Sequence, residues 1–151
     1  MRPAMATVVS ARPWEEELAR LATSGARVRL VAVEGGVYDL GKAYEILPPT
    51  ERERLRFITG GTAKEKPDAY KKRSPIYGAD RLQGPVLILH SRNNRRFPLS
   101  EAENLAAALK NQSHPFRLVI TEGQLGAYSV KQESLKKWVI PFMREHLKFQ
   151  E

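Results

Sequence analysis

Cysteine is absent from this chain of 151 residues, so disulfide bonds, thiolate chemistry and a cysteine-based zinc site are all excluded. Histidine is scarce. His90, His114 and His146 stand far apart without ligand spacing, and neither a structural metal nor a cofactor site is read from the sequence. No run of about eighteen apolar residues exists to span a bilayer, and the N-terminal stretch lacks the apolar core of a signal peptide, so the expectation is a cytoplasmic protein with no membrane attachment. Acidic residues are outnumbered, 17 against 25 basic ones, which gives a net charge of +8 and a sequence pI near 9.9. That balance suits anionic partners. The basic residues are nevertheless dispersed, in Arg52/Arg54/Arg56, Lys64/Lys66, Lys71 to Arg73 and Lys136/Lys137, with no helix-turn-helix, zinc finger or aromatic RNA-binding pattern beside them. A nucleic-acid-binding accessory protein is therefore an alternative without motif support.

What is present alternates strand and helix signals. The length fits one domain, able to bury roughly 68–70% of its unfolded surface around a single core. Patterning predicts strand 6–10, helix 13–24, strand 27–33, short helices near 42–47 and 50–58, strand 86–90, helix 100–111, strand 116–121 and helix 130–148. Val86 to Leu89 is a continuous apolar run after Gly84-Pro85, as in a strand buried on both faces of a parallel sheet. Ser100 with Glu103 three residues later has the form of a capping box opening the next helix. In the first helix Pro13 and Glu15 to Glu17 suit a helix entrance, with Trp14, Leu18, Leu21 and Ala22 on its core face. The last helix carries a stripe of Leu135, Trp138, Val139, Phe142, Met143 and Leu147, and Pro141 within it should kink it.

The stretch from Ser74 to Pro98 is the most specific in the chain. A buried strand ends in His90-Ser91, Asn94 follows, and Phe97-Pro98 leads into a helix. This resembles the late core of α/β-hydrolases of the prolyl oligopeptidase and dienelactone hydrolase type, in which a strand ends in His-Gly and an Asp stands three residues later before a Val-Pro. Upstream, Arg27 to Val33 followed by Gly36-Val-Tyr-Asp-Leu40 is similar to the strand after the family's nucleophile helix and its turn. Gly60-Gly-Thr62, Asp68-Ala-Tyr70 and Ser74-Pro75 match the excursion before the acid-bearing strand. Downstream, Phe116 to Ile120 resembles the last core strand, and Thr121 to Ala127 lies where the family has a Glu-Gly-x-Gly-His-Gly turn. The resemblance covers nearly the whole chain. It implies an α/β class protein with a partial α/β-hydrolase-like fold, about four mostly parallel strands with flanking helices, over residues 1–151.

The same resemblance marks the departures. The acid position holds Asn94, and the histidine position falls on Gly126, or on Leu125 with a shift of one. The nucleophile position falls on Ser10, whose neighbours at the elbow's glycine positions are Val8 and Arg12. An elbow needs glycines there because backbones come into close contact and the nucleophile sits in strained φ/ψ. The loop that supplies one oxyanion donor in the family would precede Ala6. Ser10, Asn94 and Gly126 are thus expected to be vestigial positions, and the expectation is a noncatalytic module that binds a ligand or a copy of itself. A serine hydrolase using an unrecognised site and a gene fragment without selected function are the remaining readings.

Two binding expectations follow. Arg92, Arg95 and Arg96 come directly after the strand at His90, where open α/β sheets bind ligands, so they are candidate ligands for a small anion. The strand Ala6 to Ser10 is central in complete family members, so its outer edge invites pairing in a two-fold homodimer.

Overall fold

The structure is a computed structural model that describes residues 29–122 and 132–147. Three strands form one parallel sheet in the order β1-β2-β3: β1 is Val31–Glu34, β2 Val86–Ser91 and β3 Phe116–Thr121. Val86 aligns with Val31 on one side and Phe116 on the other, so all three strands start level and end at the same edge. The predicted strand 6–10 and helix 13–24 lie outside the described residues.

β2 is buried throughout, as its apolar run requires: Val86, Leu87, Ile88 and Leu89 are each at most 1% exposed. On one face Val31, Val86 and Ile88 pack under the helix α4, Leu99–Asn111, against Ala102, Leu105, Ala106 and Leu109. On the other, Leu30, Leu87 and Leu89 meet Val139 and Phe142 of the last helix. Burying such a side chain contributes about 1.5–3 kcal/mol, so these two layers dominate the stability of the sheet.

β1 is shorter than the predicted 27–33 and ends one residue later. Its pairing begins where Val31 N–H donates to Pro85 O at 3.0 Å, because the chain turns at Gly84 immediately before β2. Gly84 has φ +105, and a Cβ there would lie 2.3 Å from Arg29 O, so only glycine brings the turn this close.

Between β1 and β2 the chain forms α1 (Leu40–Ala43), α2 (Pro49–Thr59), α3 (Pro67–Lys72) and a 3-10 segment, Pro75–Arg81. The last two were not legible as helices. Each opens with a proline at the first turn, a start signal that precedes too short a periodic run to read. Asp39 caps α1, its Oδ1 accepting from Gly41 N–H at 3.1 Å and Lys42 N–H at 3.2 Å.

The capping box at Ser100 and Glu103 is not formed. α4 starts at Leu99 with Pro98 as N-cap and no side-chain cap bond, two residues earlier than that motif needs. The last helix runs as α5 (Gln132–Ser134), a π segment (Leu135–Val139) and α6 (Ile140–His146). The expected break at Pro141 takes this form. Proline has no N–H for the α-ladder, and the wider turn, with Ile140 N–H donating to Leu135 O, absorbs the change without a loss of αR geometry.

Candidate functional site

Parallel strands place their carboxyl ends together, and here those ends are Glu34, Ser91 and Thr121. Gly35, with φ +59, turns the chain out of β1 while its N–H donates to Leu89 O at 2.9 Å. Glu34 Oε1 accepts from Ser134 Oγ at 3.1 Å, which ties this strand end to α5.

The loop after β2 crosses all three ends and is fastened at each. Asn94 Oδ1 accepts the N–H groups of Arg96 at 2.9 Å and Phe97 at 3.1 Å, while its Nδ2 donates toward Gly35 O at 3.5 Å. A Cβ on Gly35 would sit 3.1 Å from that Nδ2, so the approach of Asn94 to β1 also depends on the glycine. On the β3 side, Asn93 Nδ2 donates to Glu122 O at 2.6 Å, Arg92 N–H to Thr121 O at 2.8 Å and Arg92 Nε to Glu122 Oε1 at 3.1 Å. The amide of Asn94 thus spends its one acceptor on the loop's own backbone and carries no charge.

His90 is fully buried beneath α4. Its Nε2 lies 3.2 Å from Phe97 O, and Nδ1 has no partner among the described residues. Burial holds its pKa below the ordinary histidine value, against the opposing contact with Phe97 O and the charges of Glu101 and Glu103. The ring is thus enclosed, with a single hydrogen-bond contact among the described residues, at Nε2.

The three arginines expected to bind an anion are individually engaged or exposed. Arg92 pairs with Glu122, Arg96 pairs with Glu51 of α2 and lies 5.3 Å over the Phe97 ring, and Arg95 is exposed. They sit at the strand ends as anticipated, but two of the guanidiniums already hold carboxylates from other elements. Ser10 and Gly126 lie outside the described residues.

The parallel sheet, the excursion between β1 and β2 and the loop after β2 occur in the order that the sequence resemblance implied. The family model described as prolyl oligopeptidase family matches residues 22–148, most of the chain. This protein belongs to the prolyl oligopeptidase family. Among curated relatives, an uncharacterized peptidase, YtmA, of Bacillus subtilis (strain 168) is 32% identical over 81 residues, covering 54% of this chain and 31% of that protein. Among solved structures, the acylaminoacyl peptidase of Pyrococcus horikoshii superposes with a TM-score of 0.65 at 19% identity, covering 82% of this chain and 21% of the peptidase. A puromycin-hydrolyzing peptidase of Mycobacterium tuberculosis gives 0.64 at 26% identity, over 82% of this chain and 19% of that one. The chain therefore spans less than a third of the curated relative and about a fifth of each of these structures. Their fold is an α/β-hydrolase, and the described part of this chain is a portion of it.

Two residues organise this portion of the family fold: Glu101 was not singled out from sequence, and Asp39 was read only as part of the turn after β1. Glu101, 5% exposed, accepts the N–H groups of Tyr38 and Asp39 with one oxygen. Nothing local announces it, since a Glu in a first helical turn ordinarily faces solvent. Asp39, 3% exposed, had a readable signal, as an Asp immediately before a helix is a standard N-cap.

Proposed function

We propose that this member of the prolyl oligopeptidase family is noncatalytic and acts as a binding or self-associating module. The observation that carries the reading is Asn94. It stands at the acid position by resemblance, and its amide is occupied by Arg96 N–H, Phe97 N–H and Gly35 O. Triad chemistry needs a carboxylate there to fix the histidine tautomer and stabilise the imidazolium, and losing that charge costs roughly four orders of magnitude in rate. His90 offers no replacement base, because its ring is fully buried with Nε2 facing Phe97 O.

The binding part of the reading rests on the rim of the strand ends. Among the described residues Arg92 pairs with Glu122 and Arg96 with Glu51, while Arg95 is exposed, and a small anion is proposed to bind at Arg95 beside them. Phosphate or sulfate should raise the thermal midpoint, and a variant with all three arginines changed to Ala should respond less. An equal response would remove this site.

The test of the main reading is turnover of fluorogenic short-chain esters and aminoacyl substrates. No activity above background is expected. Turnover that disappears in Ser10→Ala would establish the serine-hydrolase alternative instead. A DNA mobility shift that weakens steeply with salt would favour the nucleic-acid alternative.

A further inference from the structure

Away from the strand ends, the segment joining β1 to β2 folds around a cleft of about 160 Å³, lined by Asp39, Lys42, Pro67, Tyr70, Lys71 and Tyr77 among others. We propose that this cleft is a binding site for a small carboxylate on a single planar ring, of benzoate size. Its polar groups come from three elements and converge on it: the α1 cap and helix, α3, and the 3-10 segment.

Asp39 is the fixed point. Its Oδ1 is held by the α1 cap, and its Oδ2 accepts the Tyr77 hydroxyl at 3.1 Å. Burial, and then the hydrogen bond to Asp39, push the Tyr77 pKa up, so the phenol stays a donor and the carboxylate stays satisfied. The Lys42 ammonium lies 3.9 Å from Asp39 Oδ2, beyond hydrogen-bond range, and its side chain is 67% exposed. Lys71 forms no ion pair among the described residues and lines the same cleft from α3. Two ammonium groups against one already-bonded carboxylate leave a positive charge with unused donors, the condition an incoming carboxylate satisfies.

The remaining lining sets the body of the ligand. Tyr70 is 1% exposed, fixed by its hydroxyl on Gly61 O at 3.1 Å and by an edge contact with Tyr44, so it is a rigid support of the lining, whose accessible apolar surface comes from Pro67 and Tyr77. A cavity of ~150 Å³ holds one benzene, so a cleft of about 160 Å³ has room to seat a single ring. The site is independent of whether the strand ends are catalytic.

The experiment is a titration of sodium benzoate into the ¹⁵N-labelled full chain at constant ionic strength, followed by amide NMR. Saturable shifts are expected at Gly41, Lys42, Ala63 and Lys71. The dissociation constant should rise at least tenfold in the Lys42→Ala/Lys71→Ala variant, and equally when benzyl alcohol replaces benzoate. Both lysines are exposed, and circular dichroism confirms that the variant is folded; if it is not, Lys42→Gln/Lys71→Gln takes its place. Shifts that grow linearly without saturating, that centre on residues 92–96, or that persist unchanged in the lysine variant would overturn the proposal.

Discussion

One carboxylate oxygen of Glu101, in the first turn of α4, accepts the backbone N–H groups of Tyr38 at 2.8 Å and Asp39 at 3.1 Å. The contact joins segments 63 residues apart and lies in the interior. It fixes the turn that presents Asp39 as the cap of α1, and so links the helix over the sheet to the excursion between β1 and β2. Burial of the Tyr38 ring beside it, with the charges of Glu101 and Glu34 acting in the same direction, pushes the phenol pKa well above its ordinary value.

Removing that oxygen leaves two buried donors unsatisfied. Glu101→Ala should lower unfolding free energy by about 2–4 kcal/mol, whereas Glu101→Gln, which keeps an acceptor, should cost about 1 kcal/mol. Urea unfolding with an unchanged m-value would measure both. Equal losses for the two variants would show that packing rather than hydrogen bonding is at stake.

Asn94→Asp tests the amide tie to Gly35. A carboxylate would face Gly35 O where a donor now sits, at a cost of about 1–2 kcal/mol near neutral pH. Repulsion from Gly35 O should raise the aspartate pKa in the folded state, so the cost is complete above that folded value, shrinks as pH falls through it, and is gone below the unfolded value of about 4. Stability curves of both proteins between pH 3 and 7 should converge at the acid end, and the variant should remain inactive toward esters.

His90 makes stability depend on pH in the opposite sense. Its folded pKa is depressed by burial, so unfolding takes up a proton; the contribution is complete above the unfolded value of about 6.5 and is lost as pH falls toward the folded value. The slope is at most about 1.4 kcal/mol per pH unit for one group. Thermal midpoints between pH 5 and 7 should rise more steeply in the native protein than in His90→Gln, with identical slopes counting against the assignment.

Self-association is the remaining expectation. β1 and β3 are the outer strands of the described sheet, and the segment proposed to pair, Ala6 to Ser10, lies outside the described residues. Sedimentation equilibrium at micromolar concentration should report a two-fold dimer; a single species of monomer mass, 17.1 kDa, would refute it.

Local sequence determined what depends on local chemistry. The apolar run at Val86 to Leu89 and the periodic stripes of α4 and the last helix read directly as a buried parallel strand and its covering helices, because burial dictates composition at those spacings. The spacing of Asn94 after His90 was equally legible, and with it the membership of the hydrolase fold. Tertiary structure alone decided the partners. Glu101 turned inward because Tyr38 and Asp39 bring two donors to it, and the Ser100–Glu103 box failed because Pro98 already opens the helix. Arg92 and Arg96 found Glu122 and Glu51, 30 and 45 residues away, and the cleft at Lys42 and Lys71 exists only because α1, α3 and the 3-10 segment fold against one another. Charge and hydrogen-bond pairing act through space, so no pattern of neighbours along the chain encodes them.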